Sequence, residues 1–138
     1  MSAAPMSVAA TTILLVEDDR SLQCTLREFL ADQGFETHVA GTRAAGLEML
    51  KRLRPAVCLL DMNLPDGSGA DLLRAIAQEG LGVRAIVMSA FPAEHLRGRY
   101  RASVLSEVLV KPVSPEELLA AVDRIVRGGE QASRGRDG

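Results

Sequence analysis

The polar residues of this chain that are best suited to carry out a reaction each stand at the end of a short apolar run. Asp61 follows Ala-Val-Cys-Leu-Leu, and Glu17 and Asp18 follow Ile-Leu-Leu-Val. Ser89 ends a third run, and Lys111 follows a fourth. A lone aspartate at a strand end is as often a turn or cap residue as a reagent, so Asp61 alone decides nothing. Three carboxylates, a hydroxyl and an ammonium at four matching positions favour one shared site.

This set of side chains suits phosphoryl transfer. Asp18 and Asp61, with Glu17 behind them, form a carboxylate cluster whose mutual repulsion calls for a cation. A few hard oxygen ligands suit Mg²⁺, which usually shares its coordination shell with a phosphate. Lys111 and Ser89 offer hydrogen-bond donors to the outer oxygens of that phosphate. Catalysis would then consist of positioning and charge neutralisation, and a carboxylate nucleophile would yield an acyl phosphate.

The elements that must position these residues are predicted by the hydrophobic pattern. The four runs are short and continuously apolar, which is typical of parallel strands buried on both faces. A fifth, more polar run over 35–40 suits an edge strand, and helical spacing separates the runs. This predicts a three-layer α/β/α domain with a doubly wound parallel sheet in the order 2-1-3-4-5. In such a sheet the four polar strand ends lie along one edge, where ligands bind.

The remaining elements differ in how clearly the sequence marks them. Ser114, Pro115 and Glu117 predict the start of the last helix, with an N-cap, a proline in the first turn and a capping-box glutamate. The segment 92–102 predicts only a short or mobile helix, because Gly98 interrupts it. We expect a domain over 12–127, flanked by disordered segments over 1–11 and 128–138.

Composition narrows the class of protein. The chain has 138 residues and a formal net charge of -2, so charge gives no support to nucleic-acid binding. No apolar run approaches the length of a membrane span, and the N-terminal stretch does not resemble a signal peptide. Cys24 and Cys58 both fall in apolar segments and are expected to be core residues in a reducing compartment. We therefore expect a soluble cytoplasmic protein.

Taken together, these motifs resemble the receiver domain of two-component response regulators over about residues 12–127. The resemblance rests on four segments, which are Ile-Leu-Leu-Val-Glu17-Asp18-Asp19, Leu60-Asp61-Met62-Asn63-Leu64-Pro65-Asp66-Gly67, Met88-Ser89-Ala90 and Val110-Lys111-Pro112. It implies the flavodoxin-like fold shared with chemotaxis response regulators.

The resemblance also implies a role for each site residue. Asp61 would accept a phosphoryl group from a sensor histidine kinase or a histidine phosphotransfer protein. Mg²⁺ would be bound by Asp18 and Asp61 directly, by Glu17 through water and by the backbone carbonyl of Asn63. Lys111 would pair with the phosphoryl oxygens, Ser89 would donate a hydrogen bond to one of them, and the peptide bond between Lys111 and Pro112 would be cis.

Such a domain is no enzyme beyond its own phosphorylation and dephosphorylation. The expected partners are the phosphodonor and either a downstream protein or an output domain outside this chain, with no direct contact to nucleic acid or membrane. A homodimer that forms on phosphorylation would fit the same role.

Four residues depart from the family pattern. Val108 occupies the place of a usual aromatic residue, Val113 replaces a common phenylalanine, and Val104-Leu105 replaces a Gly-Ala pair. Valine cannot swing a large side chain between two burial states. We therefore expect the signal to pass through the fourth helical segment and the loop before it, where Ser89 and Phe91 lie.

Two other functions stay open. A Mg²⁺-dependent phosphatase with an aspartate nucleophile is disfavoured, because haloacid-dehalogenase-like enzymes need a second aspartate where this chain has Asn63. A receiver-fold interaction module that is never phosphorylated is weakened by the full set of site residues.

Overall fold

A computed structural model describes residues 10–90 and 94–137 of the chain. Within these residues the main sheet has five parallel strands in the order β2-β1-β3-β4-β5, so the predicted fold and strand order are confirmed. The strands are β1 (Thr12–Val16), β2 (Glu36–Ala40), β3 (Val57–Asp61), β4 (Arg84–Ser89) and β5 (Leu105–Val110).

Helices cover both faces of this sheet. They are α1 (Arg20–Asp32), α2 (Arg43–Leu53), α3 (Ala70–Glu79) and α4 (Pro115–Asp137), with a short 3₁₀ helix over Glu94–Gly98. Two two-residue strands, Asn63–Leu64 and Gly67–Ser68, pair antiparallel between β3 and α3. We call residues 63–68 the site hairpin, because it directly follows Asp61.

The continuous apolar strands are explained by two separate cores. Ile13 and Leu15 of β1 pack on the side covered by α1 and α4, whereas Leu14 and Val16 pack on the side covered by α2 and α3. All four side chains are fully buried. Each such burial contributes about 1.5 to 3 kcal/mol, so the central strands are the most firmly fixed parts of the chain.

The segment between β4 and β5 is less regular than predicted. The expected helix over 92–102 is confined, within the described residues, to the 3₁₀ helix. Leu96 is its buried anchor, as expected, while Gly98 has nothing within 4 Å of the position of a Cβ atom. A glycine in an open position weakens the helix, and one apolar anchor cannot compensate for it. Phe91 lies outside the described residues.

Two further expectations differ from the structure. A disordered tail is predicted over 128–138, whereas α4 continues to Asp137. Extending an existing helix needs no new nucleus, so a polar sequence can follow it. Cys24 is exposed on α1, so its prediction as a core residue is wrong. Cys58 is buried as expected, and burial raises its pKa to about 12.

Candidate functional site

The carboxyl ends of β1, β3 and β5 bring three charged side chains into contact. The Lys111 Nζ atom lies 3.0 Å from Glu17 Oε1 and 3.2 Å from Asp61 Oδ2. The side chain of Glu17 is 0% exposed and that of Asp61 is 6% exposed, whereas that of Lys111 is 26% exposed. One ammonium therefore pairs with two buried carboxylates at the edge of the cleft, and the three groups together keep a net negative charge.

Glu17 is held on all sides. Its Oε1 atom accepts from Lys111, and its Oε2 atom accepts a 3.1 Å hydrogen bond from the Asp19 backbone N–H. The side-chain amide of Gln23 donates to the Glu17 main-chain carbonyl. Burial raises the pKa of Glu17, and the hydrogen bonds from Lys111 and Asp19 oppose that rise. These contacts fix the orientation of both carboxylate oxygens of Glu17.

Asp61 is fixed by its neighbours on both sides. Its Oδ1 atom accepts a 3.1 Å hydrogen bond from the Asn63 backbone N–H, and Oδ2 faces Lys111. Behind it, Gly69 packs so closely that a Cβ atom there would overlap the Asp61 main-chain carbonyl oxygen. The carboxylate is therefore presented at the edge of the sheet by a backbone that has no room to shift.

Lys111 begins the turn after β5. Its backbone N–H donates to the Ser89 carbonyl over 2.7 Å, and the bond to Pro112 is cis, as expected. Burial acts to lower the pKa of Lys111, but the hydrogen bonds and charges of Glu17 and Asp61 outweigh it, so the pKa is raised. The ammonium therefore stays charged at neutral pH.

Glu17, Asp18 and Asp61 can each offer a carboxylate oxygen within 4.8 Å of the other two. Asp18 is exposed, and no hydrogen bond or ion pair of its carboxylate is seen among residues 10–90 and 94–137. Hard oxygen donors at this density are the ligands that Mg²⁺ prefers. The donor set of this structure therefore fits the expected cation.

The other predicted site residues lie on the same edge. Ser89 is buried at the end of β4, one residue beyond the pairing of Met88 with Asp61. Asn63 is exposed in the site hairpin. Val108 is half-buried against the α2 and α3 side of the core, so no aromatic side chain occupies that place.

One contributor to the site region was not predicted. Asp66, in the site hairpin, accepts hydrogen bonds from the backbone N–H groups of Arg43 and Ala44 at the start of α2. The sequence marks Asp66 only as part of a Pro-Asp-Gly turn. Its partners lie more than twenty residues away, so no local pattern could have identified them.

Sequence comparison places this arrangement among known proteins. Residues 13–123 match the family model of the response regulator receiver domain. The DNA-binding response regulator MtrA of Mycolicibacterium smegmatis is 32% identical over 91% of this chain and 54% of its own length. The cell cycle transcriptional regulator CtrA of Caulobacter vibrioides is 27% identical over 83% of this chain and 50% of its own. The chain thus spans about half the length of these curated relatives.

Solved structures agree on the fold. The signal receiver domain of a putative Luxo repressor protein from Vibrio parahaemolyticus has a TM-score of 0.81 at 24% identity, covering 91% of this chain and 96% of that one. A CheY-like receiver domain protein from Methanospirillum hungatei has the same TM-score at 23% identity, covering 90% and 99%. In the described part of the chain, no helix is long and apolar enough to cross a membrane. The chain belongs to the response regulator receiver domain family.

Proposed function

We propose that Asp61 accepts a phosphoryl group and that the domain relays this event to a partner as a conformational signal. The observation that carries the proposal is the Asp61 carboxylate, buried at a strand end, 3.2 Å from Lys111 and within 4.8 Å of Glu17 and Asp18. A nucleophile, a cation site and a permanent positive charge thus meet in one cleft. The phosphodonor would be a phosphohistidine of a sensor kinase or phosphotransfer protein.

In this reaction an Asp61 carboxylate oxygen attacks phosphorus, a P–O bond forms, and the P–N bond to the donor imidazole breaks. The leaving nitrogen keeps the bonding electron pair, and the other ring nitrogen of the donor carries a proton, so the products are an acyl phosphate and a neutral imidazole. The Asn63 N–H holds Oδ1, which orients the carboxylate. The Lys111 ammonium then moves from the carboxylate oxygen to the new phosphoryl oxygens, which carry more charge.

The cation site would be formed by Asp18 and Asp61 directly, by Glu17 through water and by the main-chain carbonyl of Asn63. A bound Mg²⁺ neutralises charge on the transferred phosphoryl oxygens. Asp18, exposed at the edge of the cleft, is the carboxylate most accessible to an arriving ion.

The signal would leave through Ser89 and the segment that follows β4. Ser89 would donate a hydrogen bond to a phosphoryl oxygen and so draw the end of β4 toward Asp61. Val108 is too small and too stiff to follow as an aromatic would, so the 3₁₀ segment is the better candidate for movement. Phosphorylation adds about 1.5 to 2 negative charges, enough to bias a segment with two arrangements.

The place of the domain in a larger system is also a proposal. The curated relatives are named as DNA-binding or transcriptional regulators, and this chain matches about half of each. An output domain or a separate target protein would therefore receive the signal. We place the reaction in the cytoplasm, with no catalysis beyond the phosphorylation and dephosphorylation of the domain itself.

The test is incubation with acetyl phosphate and Mg²⁺, followed by intact-mass measurement. We expect a one-phosphoryl mass gain in the wild type and none in Asp61→Asn. Glu79→Gln is the matched control, because it removes a carboxylate that pairs with Lys51 on the surface, outside the cleft. Equal mass gain in Asp61→Asn contradicts the proposal. Hydrolysis of phosphate esters by the wild type would favour the phosphatase. No mass gain in the wild type or in either variant would favour an interaction module that is never phosphorylated.

A second experiment tests the signal path. Addition of beryllofluoride with Mg²⁺ should shift amide resonances from Ser89 through Lys111. A beryllofluoride complex with Mg²⁺ is described for the response regulator TrrA of Thermotoga maritima, which has a TM-score of 0.71 to this chain. If the shifts are confined to the residues around Asp61, the proposed signal path is wrong.

A further inference from the structure

The N-terminus of α2 is capped by two different parts of the chain. Thr42, the local N-cap residue, accepts a 3.1 Å hydrogen bond from the Ala45 N–H. The carboxylate of Asp66 accepts two more hydrogen bonds, from the backbone N–H of Arg43 over 2.6 Å and from that of Ala44 over 3.0 Å. The first N–H groups of a helix have no partners within the helix. Here the site hairpin supplies the partners that the local residue cannot.

Arg43 strengthens the same connection. Its Nε atom donates to the Asp66 main-chain carbonyl over 3.3 Å, and its guanidinium lies 3.3 Å from Asp71 at the start of α3. Gly67 has a φ of 151°, and a Cβ atom there would lie only 2.7 Å from Arg43 Nε. The hairpin backbone and the Arg43 side chain fit together only because this residue has no side chain.

The other end of the hairpin is part of the candidate site. Asn63 pairs with Ser68, Leu64 pairs with Gly67, and Asp66 lies in the turn between them. The Asn63 N–H bonds to the Asp61 carboxylate over 3.1 Å. A hairpin held at its turn by α2 and at its base by Asp61 has little freedom to change the position of Asn63.

We propose that Asp66 is a positioning residue of the phosphorylation site: by capping α2 it fixes the site hairpin and so preorganises the Asn63 main-chain carbonyl for a divalent cation. This inference rests on the proposed function. Within the described residues its carboxylate bonds to α2 and not to the acidic cluster, so Asp66 acts through Asn63. The hydrogen bonds from Arg43 and Ala44 lower the pKa of Asp66, so the cap is charged at neutral pH.

The test compares the Mn²⁺ affinity of Asp66→Ala with that of the wild type. Mn²⁺ is the probe ion, and the electron paramagnetic resonance signal of the free ion measures how much Mn²⁺ remains unbound. Loss of a group that orients a ligand typically weakens metal binding by about tenfold or more, and we expect a weakening of about tenfold. The Mg²⁺ concentration for half-maximal phosphorylation by acetyl phosphate should rise to the same extent. The rate at saturating Mg²⁺ should change little, because Asp61 and Lys111 are untouched.

Two variants separate positioning from other effects. Thr42→Ala removes the local cap of the same helix and leaves the hairpin bonds intact, and Glu79→Gln removes an equal charge at the other end of α3, where Glu79 pairs with Lys51. Both should bind Mn²⁺ like the wild type. If Thr42→Ala weakens Mn²⁺ binding as much as Asp66→Ala does, Asp66 matters only for helix stability and the proposal fails. If Glu79→Gln does so, the general loss of negative charge is the cause, and the proposal fails as well.

Asp66→Asn covers the case in which the alanine variant does not fold. Its amide oxygen can still accept one of the two hydrogen bonds, so we expect Mn²⁺ affinity between those of the wild type and Asp66→Ala. Wild-type affinity in both Asp66 variants overturns the inference. If the wild type gains no phosphoryl group, the proposed function fails, whereas the Mn²⁺ comparison still decides whether Asp66 positions the hairpin.

Discussion

Two regions of the same sheet edge are built very differently. Around Glu17 and Asp61, polar atoms have partners, the backbone is packed without spare room, and the strands below are fully buried. Between β4 and β5, a short 3₁₀ helix rests on Leu96, and Gly98 faces open space. The first region is rigid enough for a reaction that depends on fixed distances between its groups. The second region has fewer packing contacts and can therefore change its conformation more easily.

The largest single loss of stability is expected in the cores under the two regions. Leu59 of β3 is fully buried, and Leu59→Ala should lower the free energy of unfolding by about 4 kcal/mol. Leu96→Ala should lower it by about 2 kcal/mol, because the 3₁₀ segment can close over the cavity. Urea unfolding of both variants measures the two values. Equal losses would show that the 3₁₀ segment is as firmly packed as β3.

The glycines of the two regions should respond with opposite signs. Gly69→Ala forces a methyl group against the Asp61 carbonyl and should lower the free energy of unfolding by about 3 kcal/mol. Gly98→Ala adds a methyl group in open space and should raise it by about 0.5 kcal/mol, by restricting the unfolded chain. Thermal and urea unfolding provide the measurement. A neutral Gly69→Ala would mean that the backbone behind Asp61 can move after all.

The ion pairs of the site should contribute more than one on the surface. Lys111→Met leaves buried Glu17 and Asp61 without their ammonium and should lower the free energy of unfolding by about 2 kcal/mol, since Lys111 is partly exposed. The matched change Lys51→Met breaks a 3.3 Å pair with Glu79 between half-exposed side chains and should cost about 0.5 kcal/mol. Both values are measured without divalent cations. Equal losses of unfolding free energy in the two variants would show that the ion pairs of the site stabilise the fold no more than the surface pair does.

The smallest effect concerns acid and the cap on α2. Because the folded pKa of Asp66 is lowered, its stabilisation is present above the ordinary carboxyl pKa and is lost as pH falls through the folded pKa. The melting temperatures of the wild type and Asp66→Asn should therefore differ at neutral pH and converge below about pH 4. Thr42→Ala removes a cap that does not titrate, so its difference from the wild type should persist. Convergence of Thr42→Ala in acid would show a general loss of helix α2 instead.

The sequence was informative where a structure depends on neighbours along the chain. Continuous apolar runs predicted β1, β3, β4 and β5, and the polar residues at their ends followed from the geometry of parallel sheets. The contact of Lys111 with Glu17 and Asp61 could be expected from that geometry, whereas its distances could not.

The errors came from tertiary context. Cys24 lies among apolar neighbours in sequence, yet the helical period of α1 places Leu26 and Leu30 on its buried face and leaves Cys24 exposed. The 92–102 segment was predicted from weak helical spacing, which a single anchor could not extend beyond a 3₁₀ turn. The cap by Asp66 joins two loops distant in sequence, and no propensity records such a pairing.

The ion pair between Glu17 and Lys111 has a consequence for biosynthesis. The two residues are 94 positions apart, one just after the first strand of the sheet and one just after its last. A ribosome would have to complete β5 before the acidic pair could receive its ammonium, so a nascent chain carries Asp61 long before it carries a finished phosphorylation site. Unfinished or truncated chains would therefore compete poorly for phosphoryl groups, and the phosphodonor would act mainly on domains that have completed folding.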